Sequence, residues 1–518
     1  MIQLHLYNET AELTGASRNL VEQVATECQL KYDYWTRRRG TARPKMDSRT
    51  LEYFNDGKFP AGWASRIVKN VLSRASEEFE VVDHRQYPAI IDLQLTALPN
   101  TPWDHQQRAL KAAQDHEIGI IQVPTRGGKT LIMGLCASQF SVRTLILVPN
   151  KLLLTQEYEV FSQIFGEERV GRVGGGFDEY DKPVIVATVQ TMNSRIKQKR
   201  THVLFQNVGC LLIDECHHIK HGGYKLRNTY FEICQRFVNA RYRLGFTATP
   251  GKTHSIERRF LEGCTGEMIF SEDISTLTEA GIITPAKVLL VPMKLPKTRT
   301  LGDILIEDHG VESERGVDIE VQFKRRNLPV PIIPTFGQQL TEKVTENPKF
   351  RELVKDLAEY YGRHLRKSVI VAVSRVEEGV IAFTEGKFAI DSAIGLSGKD
   401  KDETRESVLK DFRTGKTHIL VSTLLREGID LPKADVLIMA GADVKSATPV
   451  IQRAGRVLTR DDGKELAIVI DFYLQDKGTL RKHSRDRAIL YEEQGWELEL
   501  LEKEELAKMR KANLGNRE

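Results

Sequence analysis

The segment Thr125–Thr130 has the composition of a phosphate-binding turn. It contains Thr-Arg-Gly-Gly-Lys-Thr, follows the apolar run Gly119–Val123 and precedes an apolar stretch of helical character. A strand, a glycine-rich turn and a helix in this order direct backbone N–H groups at a phosphate chain. In such a turn Lys129 reaches the β- and γ-phosphates, and the Thr130 hydroxyl binds Mg²⁺. The motif predicts a nucleoside triphosphate substrate, although the glycine that the full pattern places at position 123 is a valine here.

Two adjacent carboxylates, Asp214 and Glu215, end a second apolar run, Val208–Ile213. Phosphoryl transfer requires one carboxylate to hold Mg²⁺ and another to orient the attacking water. We assign the first role to Asp214 and the second to Glu215. Together with Lys129, these residues predict a catalytic site that hydrolyses ATP with Mg²⁺.

Composition describes an ordinary globular chain. It has 518 residues, of which 41% are hydrophobic and 28% charged, and a net charge of +4. This charge is small, so binding of nucleic acid has to depend on local basic patches. No apolar stretch approaches the about 18 residues of a membrane span, and no signal peptide is recognised, which predicts a cytoplasmic protein without membrane contact (host cytoplasm if phage-encoded). The six cysteines form no C-x-x-C pair, which favours a reducing compartment.

Hydrophobic patterning divides the chain into five segments. Two of them alternate short apolar strands with helical stretches, which predicts an α/β fold with parallel sheets covered by helices on both faces. A small α+β domain precedes them, a proline-containing connector separates them, and a charged helical extension follows. The predicted limits are, in chain order, 1–95, 96–290, 291–340, 341–475 and 476–518.

The second alternating block lacks a phosphate-binding turn but carries a basic segment. Gln452, Arg453 and Arg456 lie on a predicted helix, and the two arginines share a helix face because they are three residues apart. Both guanidinium groups can then point at one anion. We therefore predict that this segment supplies an arginine finger to the γ-phosphate.

The order of these motifs resembles that of the superfamily 2 helicases. The similarity covers roughly residues 100 to 475 and implies two tandem RecA-like domains that share one ATP, with Gln106 reading the adenine. The motifs that carry it are Gln106, Pro124–Thr130, the DExH box Asp214–His217, Thr247–Thr249, Gly428 with Asp430, and Gln452–Arg456. The ATP contacts that this resemblance implies are Gln106, Pro124, Thr125, Arg126, Gly127, Gly128, Lys129, Thr130, Gly428 and Asp430.

Within the superfamily, the chain is most similar to the phage UvsW-type branch-migration helicases, with XPB-like and RecG-like enzymes further away. The similarity is carried by Val173–Gly176, Pro183–Thr191, Ile283–Ala286 and a small N-terminal domain with aromatic and basic residues. It implies an ATP-dependent DNA helicase or translocase that acts on forks, displacement loops and four-way junctions in recombination, repair or replication, with proteins of those pathways as possible partners. The alternative is a DNA-dependent ATPase motor or clamp subunit of a restriction or repair complex, and RNA is a third, weaker substrate.

The chain departs from the superfamily pattern at two points. Arg126 replaces a small residue in the phosphate-binding turn. The last motif normally has another arginine three residues after Arg456, where this chain has Thr459 followed by Arg460. Either Arg460 substitutes after a shift of one residue, or Arg453 and Arg456 suffice.

Two groups of residues are predicted to contact nucleic acid. The basic, aromatic stretch that contains Arg37, Arg38 and Arg39 suits phosphate binding and base stacking, with a solvated basic loop as the rival interpretation. The resemblance also implies contacts through loops after strands, where hydroxyls and amides bind phosphate without reading sequence. These candidates are Asn150, Thr188, Gln190, Thr191, Ser374, Arg375 and Thr423.

Overall fold

The chain forms two compact units, Met1–Asp273 and Ile274–Glu518. The computed structural model describes residues 1–36, 45–98, 100–198, 202–219, 229–295, 322–323, 325–328, 340–423, 434–441, 450, 454–460, 464–475 and 479–515. Within these residues, no helix combines the length and the apolar character that crossing a membrane requires.

The first part of unit 1 is a small α+β module. Its four-stranded sheet has the order β5-β2-β1-β6, and a separate hairpin pairs β3 with β4. Single 3-10 turns occupy Ala61–Trp63 and Leu72–Arg74. The elements are β1 Ile2–Leu6, β2 Thr10–Thr14, α1 Arg18–Glu27, β3 Gln29–Thr36, β4 Lys45–Glu52, β5 Lys58–Pro60, α2 Ala64–Asn70 and β6 Phe79–Asp83.

This module packs directly against the remainder of unit 1. Trp63 is 1% exposed, and its Nε1 donates to the Arg259 carbonyl at 2.8 Å. Arg66 Nη1 lies 3.1 Å from Glu262 Oε2. A Cβ atom on Gly62 would lie 2.1 Å from the Glu262 carbonyl oxygen, so only glycine allows this approach of the two backbones. The module and its neighbour therefore share one hydrophobic core.

The remainder of unit 1 contains an eight-stranded sheet of order β10-β9-β11-β8-β12-β13-β7-β14. Its pairs are parallel except for β10 with β9. The central strands are continuous apolar runs because helices cover both faces of a parallel sheet. The strands are β7 Ile118–Gln122, β8 Thr144–Val148, β9 Val170–Gly174, β10 Phe177–Asp178, β11 Val184–Thr188, β12 Cys210–Ile213, β13 Tyr242–Thr247 and β14 Met268–Ser271.

Helices cover this sheet and connect its strands. They are α3 Asp104–His116, α4 Lys129–Phe140, α5 Lys151–Phe165, α6 Val189–Lys197, α7 His202–Asn207, α8 Thr229–Cys234 and α9 Ile256–Thr265, with 3-10 turns at Glu167–Arg169 and Cys216–His218. One face of the sheet contributes to the core shared with the N-terminal module, and the other face forms a separate core with α3, α4 and α5.

Unit 2 contains a seven-stranded parallel sheet of order β17-β18-β16-β19-β20-β15-β21. A buried ion pair joins the helix Thr479–Glu493 to the strand Ala467–Leu474, with Arg487 Nε 2.7 Å from Asp471 Oδ2. The strands are β15 Ala286–Met293, β16 Val369–Ala372, β17 Ala393–Leu396, β18 Ile419–Ser422, β19 Val436–Met439, β20 Ala467–Leu474 and β21 Glu497–Leu500. The helices are α10 Ile274–Glu279, α11 Pro348–Glu359, α12 Ala382–Thr384, α13 Asp402–Arg413, α14 Thr479–Glu493 and α15 Lys503–Gly515, with π-helical turns at Thr341–Thr345, Tyr360–His364 and Val376–Ile381 and a 3-10 turn at Arg456–Leu458.

The predicted fold class, two tandem parallel-sheet domains with a small α+β N-terminal part, is confirmed. One boundary lies elsewhere than expected. The sequence predicts that the first parallel block ends at residue 290, whereas β15 is an interior strand of the second sheet, between β20 and β21. The compact units accordingly divide between Asp273 and Ile274. The remaining predicted domain limits stay predictions.

Candidate nucleotide site and nucleic-acid interface

The glycine-rich turn connects β7 to α4 at the carboxyl edge of the first sheet. Gly128 is the N-cap residue of α4 and has the left-handed backbone angle φ 77°. Arg126 is also left-handed, with φ 73°. The Gly127 N–H donates to the Pro124 carbonyl at 3.0 Å, which closes the turn. The amino end of α4 begins at Lys129 and Thr130, and helix amino ends favour anions, which agrees with the predicted phosphate contact.

Gln106 lies against this turn. It is 1% exposed, and its Oε1 accepts from the Trp103 N–H at 2.9 Å. Its Nε2 lies 3.4 Å from the carbonyl oxygens of both Gly127 and Gly128. The neighbouring His105 Nε2 is 2.7 Å from the Gly127 carbonyl oxygen. Gln106, Gly127 and Gly128, three of the predicted ATP contacts, are thus packed together, and the reading of adenine by Gln106 stays a prediction.

The two adjacent carboxylates follow β12 and face the turn. Glu215 Oε1 lies 3.9 Å from Lys129 Nζ. Asp214 is buried, and its N–H extends the sheet by donating to the Leu147 carbonyl at 3.0 Å. Burial, followed by the negative charge of Glu215, raises the pKa of Asp214 to about 7, and the charge of Lys129 opposes this rise. The lysine and both carboxylates predicted from sequence therefore lie in one small site.

A histidine connects this site to the next strand. His217 Nδ1 lies 3.2 Å from Glu215 Oε2 and 3.0 Å from Thr247 Oγ1. Thr247 ends β13, and its hydroxyl oxygen also accepts from the Thr249 N–H at 3.0 Å. The DExH box and the segment Thr247–Thr249 are consequently joined through one side chain, which gives a physical path from Glu215 to the adjacent strand.

The sequence motifs did not predict one acidic residue of the site. Glu157 of α5 is 5% exposed, and its Oε1 accepts a hydrogen bond from the Thr130 hydroxyl at 2.9 Å. Burial, followed by the nearby charge of Asp214, raises the pKa of Glu157 well above its ordinary value. The available signal was its position within the apolar stripe of the helix, between Leu154 and Phe161 at spacings of three and four residues.

The oxygen ligands of the site suit a magnesium ion bound with ATP. Thr130 and Asp214 are the predicted ligands, and hydroxyl and carboxylate oxygens are the donors that Mg²⁺ prefers. Within the described ranges, protein side chains alone form no cluster of three or more histidine, cysteine, aspartate or glutamate ligands. Sites of this kind complete the coordination of Mg²⁺ with substrate phosphates and water.

Several residues of unit 2 that are predicted to bind ATP are not among those that the structure describes. Gln452, Arg453, Gly428 and Asp430 are not among the described residues, and Arg456 is described only as the first residue of a 3-10 turn. Arg460 is exposed and donates to the Gly281 carbonyl within its own unit. The two alternatives for the arginine missing at position 459 stay predictions.

The nucleic-acid candidates of unit 1 lie at the carboxyl edge of its sheet, after β8 and β11. Asn150 caps α5 by accepting from the Leu153 N–H at 3.0 Å. Thr188 caps α6, and its hydroxyl donates to the Thr191 hydroxyl at 2.8 Å. Gln190 Nε2 donates to the Pro149 carbonyl at 2.6 Å. These side chains therefore have structural roles in the protein, beside which phosphate contact stays a prediction.

The candidates of unit 2 occupy the corresponding edge of the second sheet. Ser374 and Arg375 follow β16, and Thr423 follows β18. Arg375 is exposed, and the other two are half-buried. Arg37, Arg38 and Arg39, predicted to bind DNA, lie outside the described residues.

Comparisons with known proteins agree with this architecture. The family described as the res subunit of type III restriction enzymes matches residues 87–252, and the helicase conserved C-terminal domain matches residues 350–460. A curated relative from Sulfurisphaera tokodaii, the DNA 3'-5' translocase XPB2, is 27% identical over 405 residues, covering 76% of this chain and 85% of the relative. The ATP-dependent DNA helicase uvsW of Enterobacteria phage T4 is 25% identical over 367 residues, covering 68% of this chain and 64% of that protein.

Among solved structures, the ATP-dependent type ISP restriction-modification enzyme LlaBIII bound to DNA has a TM-score of 0.54 and 14% sequence identity. The match covers 87% of this chain and 36% of that structure, and it supports the fold alone. Both sheets, the placement of the phosphate-binding turn and the matched domains lead to one assignment. The chain carries both helicase domains, belongs to the superfamily 2 helicases and is an ATP-dependent enzyme, and the two curated relatives that it resembles are a DNA translocase and a DNA helicase.

Proposed function

We propose that this protein is an ATP- and Mg²⁺-dependent DNA helicase or translocase that remodels branched DNA, such as forks, displacement loops and four-way junctions. The observation that carries the catalytic part is the convergence of Lys129, Glu215 and Thr247, with His217 Nδ1 3.2 Å from Glu215 and 3.0 Å from Thr247. The Lys129 ammonium group lies near the Glu215 carboxylate, and His217 links that carboxylate to Thr247 on the neighbouring strand.

Each side chain has a separate role in the proposed reaction. Lys129 neutralises the β- and γ-phosphates, and the amides at the start of α4 bind phosphate oxygens. Thr130 and Asp214 would hold Mg²⁺, which neutralises charge that develops on the phosphates. Glu215 orients the water that attacks the γ-phosphate. Changes at the attacking water and the γ-phosphate can then be transmitted from Glu215 to β13 through the contact of His217 with Thr247.

Branch recognition is assigned to the N-terminal module. The described strands of its hairpin carry exposed acidic as well as basic side chains, among them Lys31, Asp33, Asp47 and Arg49. Their charges largely cancel, so the predicted DNA affinity of this region depends on Arg37 to Arg39, which follow β3 in the chain. The DNA translocase and the DNA helicase among the curated relatives support DNA as the substrate.

The test compares ATP hydrolysis stimulated by single-stranded DNA, duplex DNA and a four-way junction, followed by strand displacement with the purified chain. We expect the junction to stimulate most and displacement to require ATP. Replacing Arg37, Arg38 and Arg39 with alanine should leave DNA-free hydrolysis unchanged and weaken junction binding. If each arginine meets one phosphate, the log–log salt slope falls by about 0.9 per contact on duplex DNA.

The matched control is Arg18→Ala, which removes an exposed arginine of the same module whose guanidinium lies 3.1 Å from Glu22. It should leave the salt slope unchanged. Equal slopes for the wild type and the triple variant would exclude Arg37 to Arg39 from DNA binding. DNA-stimulated hydrolysis without any strand displacement would favour the alternative, a motor or clamp subunit of a larger restriction or repair complex. Stronger stimulation by RNA would exclude DNA as the principal substrate.

A further inference from the structure

Glu157 is a buried carboxylate of which, among the described residues, one oxygen accepts a hydrogen bond and the other does not. Its Oε1 accepts from the Thr130 hydroxyl at 2.9 Å. Its Oε2 is buried and has no hydrogen-bond partner among the described residues. A buried carboxylate oxygen without a donor is costly, so such groups are normally paired, hydrogen-bonded or associated with a metal ion. The unused oxygen therefore indicates a donor that binds at this position.

The charges around Glu157 indicate the kind of donor. Asp214 and Glu215 lie near enough for their charges to affect Glu157, and Lys129 is the neighbouring cation that opposes them. Three carboxyl groups share this buried site with one ammonium group, so ionisation of all three is unfavourable without a further positive charge. A hydrated divalent cation supplies both the positive charge and the hydrogen-bond donor that the site lacks. It carries two positive charges, and its bound water molecules are strong hydrogen-bond donors.

The contact with Thr130 fixes the direction in which its hydroxyl can bind a cation. Because the hydroxyl proton points to Glu157 Oε1, the oxygen lone pairs point away from Glu157. A threonine ligand of a cation uses these lone pairs. Glu157 thus determines the orientation of a hydroxyl that the phosphate-binding turn brings into the nucleotide site.

We propose that Glu157 is a positioning residue for the divalent cation bound with ATP, orienting Thr130 through Oε1 and accepting a hydrogen bond from the hydration shell of the cation through Oε2. This role rests on the Mg²⁺–ATP site of the proposed function. Glu157 acts through Thr130 and through water and needs no direct contact with the nucleotide. Groups that orient metal ligands in this way change metal affinity by about 10–100-fold when they are removed.

The test uses Glu157→Gln, which keeps the size of the side chain and an oxygen that can accept from Thr130. The affinity for a fluorescent ADP analogue is measured in EDTA and across a Mg²⁺ titration. We expect metal-free ADP to bind as tightly as in the wild type or more tightly, because a negative charge near the phosphates is removed. We expect the Mg²⁺ concentration at half-maximal binding to rise by about 10-fold or more.

The control is Glu159→Gln, the same substitution at an exposed position of the same helix, which should change neither affinity. Glu157→Met is measured in parallel and should show the same Mg²⁺ shift, so poor folding of one variant leaves the other to decide. Equal losses with and without Mg²⁺ would identify a packing role and overturn the proposal, as would an unchanged Mg²⁺ dependence. A wild type whose ADP binding ignores Mg²⁺ would instead contradict the proposed Mg²⁺–nucleotide site itself.

Discussion

Gly128→Ala tests whether the contact between the left-handed turn and Gln106 contributes to stability and to ATP binding. Gly128 has φ 77°, and a Cβ atom at this position would lie 2.2 Å from Gln106 Nε2. The substitution therefore adds backbone strain and displaces a buried amide. We expect a less stable protein whose affinity for ATP is also reduced.

The two effects have separable magnitudes. A left-handed alanine costs about 1–2 kcal/mol relative to glycine. Displacement of Gln106 breaks its 2.9 Å hydrogen bond with the Trp103 N–H, and a disrupted buried hydrogen bond costs about 1–3 kcal/mol. The free energy of unfolding should thus fall by about 2–5 kcal/mol. If the bound state must restore Gln106 at a cost of about 1.4 kcal/mol, ATP affinity falls about tenfold.

Gly415→Ala is the matched control. Gly415 has φ 71°, close to that of Gly128, but a Cβ atom there would have no neighbour within 4 Å. It should show the cost of the left-handed backbone without the collision. The assays are denaturant unfolding and titration with a fluorescent ATP analogue, performed on both variants and on the wild type.

A double-mutant cycle with Gln106→Ala isolates the contact. If Gly128→Ala acts on ATP binding by displacing Gln106, adding it to Gln106→Ala should cause little further loss of affinity, because residues in contact are not additive. Fully additive losses of affinity would refute the proposed coupling. Identical behaviour of Gly128→Ala and Gly415→Ala in both assays would show that the collision has no consequence.

Three other substitutions probe the site and its support. Lys129→Ala should abolish ATP hydrolysis and leave DNA binding intact, as measured by turnover and by filter binding; substantial turnover would contradict the assignment of the turn. Glu215→Gln should retain ATP binding and lower the hydrolysis rate by ~10² or more, as expected for loss of a general base, and a loss of affinity with normal turnover would reverse that role. Trp63→Ala should lower the free energy of unfolding by about 3–5 kcal/mol, since it empties a fully buried site and removes the 2.8 Å hydrogen bond to Arg259; a smaller effect in a denaturant titration would show that the site collapses.

The sequence was sufficient where chemistry follows from short contiguous motifs. Lys129 and Asp214 each follow an apolar strand, and the carboxyl ends of parallel strands meet at one edge of a sheet. Their proximity could therefore be predicted from strand order alone. Both parallel sheets could be predicted in the same way, from continuous apolar runs that alternate with helical segments.

The sequence was insufficient where tertiary packing decides. Glu157 belongs to no local motif, and its role depends on α5 packing beside Thr130. The strand Ala286–Met293 has an apolar pattern that fits either sheet, and only pairing with β20 and β21 assigns it to the second. Asn150 and Thr188 are helix caps, and capping demands the same polar side chains as phosphate contact.

The shared core of unit 1 determines how this enzyme can be altered. Trp63 and Phe59 of the N-terminal module lie in the same buried cluster as Phe231 and Phe260 of the neighbouring domain. A truncated chain starting near residue 96 would expose that aromatic surface to water and should aggregate. The module therefore cannot be exchanged for another domain without changing this core. Substitutions that alter DNA preference have to lie on its outer surface, and substitutions on its inner surface require matching changes in the neighbouring domain.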